Sequence, residues 1–512
     1  MAMATDERLV IGLDSSTQSV KAIAWRPDGS AAGEGRAPIP ISQEGLDCFE
    51  QDPRDWWRAT VTALKALLDQ VDAARLEGLA VSNQRETMGF FDAQGEATHP
   101  AILWLDGRTR GEVDEFSRSF GAEEIHRISG RPPDVTPSFY RVIWLRRNRP
   151  EAFARTACFA DVQAYLVRQF CGGWFRTSWS SADPSGMFDL VEKRWSPALL
   201  DAIGIAAGRL PEAHAPGAEL GRVTEAAARE TGLPAGLPVF AGGGDGQCAG
   251  LGTGCTRPNR AYVNLGTAVV SGIWTDTYRY DPAWRTEIAA HGEGYILENC
   301  LRSGSYLVDW FVKQFVAGRS TSADLFAELE EEALKLPIGS GGVMVQPYWS
   351  GVMDPYWDTK ARGVIVGLGT GHKPVHIHRA IIEGITLDLV MGTEASEAAS
   401  GQTADHYLAI GGGANSKLWR QMLADASGKP VHVSDTVEAS ALGAGMIAAA
   451  GAGWYTTICD AADGMAGRTQ VFAPDHAKRP RYRALLDIYR DLYAANASIN
   501  QRLVDFAAGE TS

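Results

Sequence analysis

Two stretches roughly 250 residues apart share one grammar, and this repetition constrains the fold more than any single motif does. "RLVIGLDSSTQSVKAIAW" (Arg8 to Trp25) runs as an apolar strand, a turn of small polar residues and a second strand. "RAYVNLGTAVVSGIWT" (Arg260 to Thr275) repeats the pattern with "NLGT" at the bend. Apolar runs on either side of a short polar turn predict a β-hairpin in each case. Duplicated hairpins opening two halves of a chain predict two related domains facing each other across a cleft. "GTGCTRPN", with its turn residues and Pro, marks the boundary and gives domains of 1–254 and 255–512. A chain of 512 residues is in any case too long for one hydrophobic core.

Between and after the hairpins, helical and strand patterns alternate. "DPRDWWRATVTALKALLDQV" has an Asp-Pro start and apolar residues at helical spacing; "LEGLAVSNQRETMGFFDAQGE" reads as strand, polar loop, strand and turn. Such alternation predicts an α/β architecture. "ALGAGMIAAAGAGWY" is the most apolar window, but it falls short of the roughly 18 apolar residues of a membrane span and reads as a tightly packed helix. The N-terminus lacks the basic and apolar regions of a signal peptide. Seven cysteines without a CxxC pair fit reduced thiols in a cytoplasm. A net charge of -14, from 48 Lys+Arg against 62 Asp+Glu, repels polyanions and argues against nucleic acid as a partner. Small molecules are the expected ligands; oligomeric state is left open, with a homodimer to be tested.

Six short stretches carry chemistry. In "GLDSSTQS" (Gly12 to Ser19), successive hydroxyl residues in a tight turn can aim backbone N–H groups and hydroxyls at phosphate oxygens, and Asp14 can hold Mg²⁺ directly or through water. A polar turn closed by local bonds is the plainer alternative. "NLGTAV", with Gly266 and Thr267, can grip the same phosphates from the other domain. "LAIGGGANSKLWRQML" runs from a strand through glycines into a helix; Ala414 and Asn415 can meet a purine or ribose there, although a tight strand-to-helix turn is by itself the plainer reading of the glycines. The stretch is neither a Rossmann GxGxxG nor a Walker motif.

"VFAGGGDGQCAGLG" (Val239 to Gly252) places a lone carboxylate, Asp245, in an apolar run broken only by glycines. A carboxylate within reach of an alcohol is a suitable acceptor for its proton in phosphoryl transfer, and Gln247 can add an amide hydrogen bond. The competing reading is an Asp that caps a helix starting near Gln247. In "SNQRETMG", Arg85 and Glu86 offer donors and acceptors to a polyhydroxylated substrate while neutralising each other, or form a surface ion pair. Trp104 and Asp106 in "ILWLDGRTR" can add an apolar wall and another hydroxyl acceptor, with core packing as the alternative for the Trp.

Taken in order, these stretches resemble the FGGY carbohydrate kinase family from Leu9 to about Trp454, and "PYWSGVMDPYWDTKARGVIVGLGTGH" is similar to its second-domain signature. The resemblance implies two actin-like (ribonuclease H-like) ATPase domains around a central cleft. It implies ATP and Mg²⁺, with Asp245 as general base, Asp14 at the metal, and Ser15, Ser16, Thr17, Gly266 and Thr267 at the phosphates. Gly412, Gly413 and Asn415 would surround adenosine; Arg85, Glu86, Trp104, Asp106, Asp245 and Gln247 would line the sugar site. "GLDSSTQS" and "PYWSGVMDPYWD" look like xylulokinases, whereas "NQRET" is similar to glycerol kinases. Thr136 falls near where glycerol kinases place a substrate-contacting Tyr. The expected acceptor is a ketopentose such as xylulose, with a polyol (glycerol or a tetritol) as the alternative. A regulatory actin-like ATPase is the alternative from a different class.

Overall fold

The structure, a computed structural model, describes residues 8–45, 47–316, 323–434, 438–467 and 469–507. Both expected hairpins form, and each nucleates a sheet. β1 (Leu9–Ser15) pairs antiparallel with β2 (Ser19–Trp25), Ile11 lying opposite Ala24 and Leu13 opposite Ala22. With β3 (Ala31–Pro38), β4 (Leu76–Asn83), β5 (Glu219–Arg222) and β6 (Pro238–Gly244) they build a six-stranded sheet in the order β5-β6-β4-β1-β2-β3. β1 runs parallel to β4 and β4 parallel to β6, while β5 is antiparallel to β6.

The second half repeats this plan. β7 (Arg260–Leu265) and β8 (Val269–Thr275) form the hairpin, and β9 (Arg285–Ile288) and β10 (Tyr295–Leu301) follow it. β11 (His406–Ile410), β12 (Val431–Ser434) and β13 (Thr469–Phe472) complete the order β9-β10-β8-β7-β11-β12-β13. β7, β11 and β12 run parallel, and β13 closes antiparallel. The six strands from β10 to β13 therefore match the first sheet pair for pair, as a duplicated unit should; β9 is the addition.

β1 is buried along its whole length because both faces of the sheet are covered, which is why it reads as a continuous apolar run. Leu9, Ile11 and Leu13 pack with Trp56, Leu64 and Leu67 of α1 (Pro53–Leu68). That helix starts as its sequence indicates, with the Asp52 side chain accepting from the Arg54 N–H and Pro53 in the first turn. The other face receives α5, reached after α2 (Asp245–Gly252), α3 (Pro374–Ser400) and α4 (Lys417–Ser427). α5 (Ala439–Gly451) is the tightly packed helix expected from its small residues, yet it lies on the first sheet rather than its own half's sheet. Trp25 donates its indole N–H to the Ala441 carbonyl at 3.1 Å.

Glycine makes this approach feasible. A Cβ at Gly12 would stand 1.8 Å from the Ala441 carbonyl oxygen, and one at Gly443 would stand 2.0 Å from the Cys248 carbonyl of α2. Gly12→Ala is accordingly expected to lower the urea midpoint by the equivalent of about 1–3 kcal/mol, the ordinary cost of overpacking. Gly111→Ala, at an exposed position with nothing within 4 Å of the added atom, should leave it unchanged or raise it. Equal midpoints for the two variants would contradict the close contact. Among the described residues no helix is long and apolar enough to cross a membrane, and the seven cysteines are free thiols.

Candidate active site

The two hairpin bends face one another across a cavity of about 380 Å³. Its wall includes Asp14, Ser16, Thr17, Arg85, Glu86, Trp104 and Asp245 from the first half and Gly266 and Thr267 from the second. A second, larger cavity of about 770 Å³ shares Ser16, Thr17, Trp104, Thr136 and Thr267 with it and opens the site outward past Trp349 and Arg302. Nine of the residues expected from sequence are thus brought to one space from five separate stretches of chain.

Asp245 opens α2 immediately after the glycines of β6, so the helix starts two residues earlier than its composition indicates. Its Oδ1 accepts from the Gly246 N–H at 2.9 Å and meets the Arg85 Nε at 3.2 Å. Although 36% of the side chain is open to the cavity, it lies on the cavity floor with protein on every other side. That burial, offset by Arg85 and reinforced by Asp14 and Glu86, pushes its carboxyl up to about 7. Asp14, at the end of β1, is pushed up to about 6 by burial despite Lys21 and a 2.9 Å hydrogen bond from Ser82. Two carboxylates sharing one cavity, each reluctant to ionise, are the setting in which a cation is welcome.

The loops that hold these groups are braced from behind. Trp104 donates its indole N–H to Thr17 Oγ1 at 2.9 Å, joining the expected apolar wall to the first hairpin bend. Buried Arg141 reaches the carbonyls of Leu103, Trp104 and Thr136. Thr136, which lines both cavities, donates to Asp134, and Asp134 pairs with Arg302 of the second half at 2.7 Å.

Four expectations need correction. Arg85 and Glu86 do not pair with each other and are not on the surface; Glu86 has a φ of 56°, which turns the two side chains apart. Arg85 bonds Asp245, Glu287 and Glu298, while Glu86 accepts from Arg131 and Arg285, each at 3.0 Å. Asp106 is buried outside the cavity lining, with its carboxylate taken by Arg108 and the Phe49 N–H. It shapes the loop that carries Trp104 instead of offering an acceptor to substrate. Gln247, also buried, turns its amide to the Ser180 carbonyl and Asp183, because two helical steps from Asp245 lead to the opposite face. Ser15 is buried as well: along a strand successive side chains alternate, so Asp14 and Ser16 face the cavity and Ser15 faces away.

Gly412, Gly413 and Asn415 form a short 3₁₀ turn after β11, with Gly412 and Asn415 exposed. They do not line the cavity. A Cβ at Gly413 would lie 2.9 Å from the Leu265 carbonyl, so the turn is packed on the strand that leads into Gly266. It is therefore placed next to the second hairpin bend.

A buried charge network that sequence reasoning missed runs from the cavity wall into the protein and crosses between halves. Arg85, Arg131 and Arg285 face Glu86, Asp183, Glu287, Glu298 and Asp245. Glu287 joins Arg85 and Arg131; Glu298 takes Arg285 Nε at 2.6 Å and the Tyr262 hydroxyl at 2.8 Å. Burial raises Asp183 against the pull of Arg131, and raises Glu287 against Arg85. Burial would raise Glu298 too, but Arg285 and Arg85 hold it below the usual carboxylate range. The signal was available: Glu298 in "YILENC" is a lone charge in an apolar strand, as Asp245 is.

Family models decide what this site belongs to: the N-terminal domain of the FGGY family of carbohydrate kinases matches residues 9–252, and its C-terminal domain matches residues 261–452. The chain belongs to the FGGY family of carbohydrate kinases. It is 29% identical to a xylulose kinase of Bacillus subtilis over 98% of this chain and 99% of that one. It is 28% identical to an autoinducer-2 kinase of Klebsiella pneumoniae over 95% of this chain and 93% of that one. The crystal structure of a xylulose kinase from Rhodospirillum rubrum superposes with a TM-score of 0.88 at 27% identity, covering 96% of this chain and 100% of that one. The two-domain α/β, actin-like fold and ATP-dependent phosphorylation of an alcohol group follow for this FGGY kinase.

A base must be ionised to accept a proton. The expectation that Asp245 is that base, its carboxyl being pushed up to about 7, predicts that kcat/KM of this FGGY kinase falls by about tenfold per unit below roughly pH 7. A profile flat down to pH 5 in a coupled ADP assay would remove Asp245 from that role.

Proposed function

We propose that this FGGY kinase transfers the γ-phosphoryl group of ATP to a hydroxyl of a ketopentose such as xylulose. The observation that carries this reading is Asp245, a carboxylate pushed up to about 7, on the floor of a cavity walled by both hairpin bends and by Arg85, Glu86 and Trp104. The ketopentose is favoured by the xylulose kinases among its relatives, at 29% identity to the one from Bacillus subtilis.

In this reading the acceptor sugar lies against Trp104, with Arg85 and Glu86 holding its hydroxyls. One hydroxyl proton passes to Asp245 as the hydroxyl oxygen bonds phosphorus and the bond to the leaving ADP oxygen breaks. Arg85, already touching Asp245, steadies that carboxylate while it is ionised. Ser16, Thr17, Gly266 and Thr267 contact the phosphates, and the turn at Gly412, Gly413 and Asn415 borders the nucleoside. Among the described residues no group of three His, Cys, Asp or Glu forms a metal site. Mg²⁺ bound to a nucleotide keeps most of its waters and needs only one or two protein carboxylates, so Asp14, with Asp245 close by, fits it. The metal would supply charge neutralisation at the phosphates. Division into catalytic units at 1–254 and 255–512 belongs to this proposal, with α5 of the second unit seated on the first.

A polyol acceptor is the second reading, favoured by the likeness of "NQRET", whose Arg85 and Glu86 line the cavity, to the corresponding loop of glycerol kinases. ADP release measured with a panel of ketopentoses, aldoses and polyols tests both. Xylulose is expected to raise turnover over the sugar-free rate by orders of magnitude and to exceed glycerol and erythritol. Preference for a polyol would replace the ketopentose, and equal turnover with and without every acceptor would favour a regulatory ATPase.

A further inference from the structure

The bend between β1 and β2 closes on itself through Ser16, whose N–H and hydroxyl both reach the Ser19 carbonyl. Thr17, next to it, is held from outside the hairpin. Gln51, at the end of the short strand Phe49–Gln51 and two residues before α1, donates its Nε2–H to the Thr17 carbonyl at 2.7 Å. Its Oε1 accepts from the Trp56 indole at 2.8 Å and from Gln84 Nε2 at 3.0 Å. Gln84 Oε1 accepts from the Thr87 hydroxyl at 3.0 Å, and the Thr87 oxygen accepts from the Trp104 backbone N–H at 3.3 Å. The Trp104 indole then returns to Thr17, donating to Oγ1. Gln51, Gln84 and Thr87 are each at most 2% exposed, and none of them lines either cavity.

Every role in this circuit is forced. An indole N–H can only donate and a carbonyl can only accept, so the Gln51 amide has a single orientation. Gln84 must then present its nitrogen to Gln51 and its oxygen to Thr87, which leaves the Thr87 oxygen for the Trp104 N–H. Turning either amide over would set like groups face to face and leave a buried one unpaired. At Thr17 the hydroxyl oxygen receives the indole proton, so its own proton is left for a group in the cavity that Thr17 lines. A buried polar network with its members paired in this way is rigid. It begins and ends at the first hairpin bend and passes through the acceptor loop, since Gln84 adjoins Arg85 and Trp104 is itself cavity wall. The bend and the acceptor wall therefore cannot move independently without breaking a buried bond.

Resting on the reading that Thr17 contacts the phosphates, we propose that Gln51 and Gln84 are positioning residues. They fix the hairpin bend against the acceptor loop, so that an acceptor seated on Trp104 steadies the Thr17 donor and each ligand tightens the other. Isothermal titration of ADP with and without xylulose tests this, with a polyol in its place should the acceptor panel rank one first. Wild type should bind ADP about fivefold or more tightly with the acceptor present, the lower end of ordinary coupling between two sites. Gln51→Met fills the space of the amide without its bonds. Its ADP affinity should be the same within about twofold with or without acceptor. Its kcat should fall by about 10–10²-fold, the cost of a misplaced group, with one ADP still bound per chain. Partial unfolding alone would lower the number of sites and leave the coupling intact in those that remain. Trp104→Phe keeps the aromatic wall but lacks the indole donor; it should lose the coupling too, and it decides the matter should Gln51→Met not fold. A wild type without coupling, or wild-type coupling in either variant, overturns the proposal. Thr17→Val with wild-type turnover would instead remove Thr17 from the phosphates, and the proposal with it.

Discussion

Asp245→Asn is expected to retain nucleotide and sugar binding while losing about 10²–10⁴-fold in kcat, the usual contribution of a positioned base. The amide has the carboxylate's shape and can still accept from Arg85, but it cannot take a proton at the moment of transfer. Arg85 itself stays in place through Glu287 and Glu298, so the acceptor loop should not collapse. Stability should move the other way. Asp245 is raised from 3.8 to about 7 in the folded protein, so the fold prefers its protonated form. Wild-type stability therefore declines as pH rises through that interval, and the Asn variant has no such decline. The variant should melt at or above wild type at pH 8, and the gap should close near pH 4. Turnover within tenfold of wild type would show that another group takes the proton. Lower stability at pH 8 than at pH 5, relative to wild type, would show that the ionised carboxylate is welcome in the fold.

The same residue shows why part of the site was legible in sequence. A carboxylate in an apolar run is costly unless its surroundings use it, so Asp245 announces itself locally. The hairpins are legible for a related reason: strand, turn and strand are contiguous, and the pairing of Ile11 with Ala24 needs only a short loop to close. What escaped is set by direction and distance. Ser15 and Gln247 stand next to functional positions but point away from them, one by strand alternation and one by helical rotation. The φ of 56° at Glu86 separates it from Arg85, and nothing in "NQRET" specifies that angle. Asp106 was within reach of a local reading, since Arg108 two residues on takes its carboxylate. The partners of Arg85 in the charge network were not, because Glu287 lies 202 residues away. Likewise, the small residues of α5 predict close packing but not against which sheet; Gly12 and the helix meet only in three dimensions.

Arg285→Met tests whether that network is what fastens the two halves behind the cleft. Methionine fills the space of the side chain, so the change removes charge more than volume. Two buried carboxylates are then short of a partner: Glu298 loses a 2.6 Å bond and Glu86 a 3.0 Å bond. Breaking a buried ion pair from one side costs about 3–5 kcal/mol, and the lower end is expected because Arg85 and Tyr262 still reach Glu298. The sign of its pH dependence identifies the cause. In wild type, Glu298 lies below its ordinary 4.5, so its contribution is present above that value and is lost as pH falls through the folded value. Without Arg285 the burial that opposes ionisation has less to balance it, and protonation relieves the variant. The stability gap between wild type and Arg285→Met should therefore be widest at pH 8 and narrow toward pH 4, as measured by urea denaturation. Adding Glu298→Gln to the variant should recover a large part of the loss at pH 8, since the unmatched charge is then gone. A gap that is the same at both pH values would assign the cost to packing, and the halves would then be held by α5 on the first sheet without help from the charges.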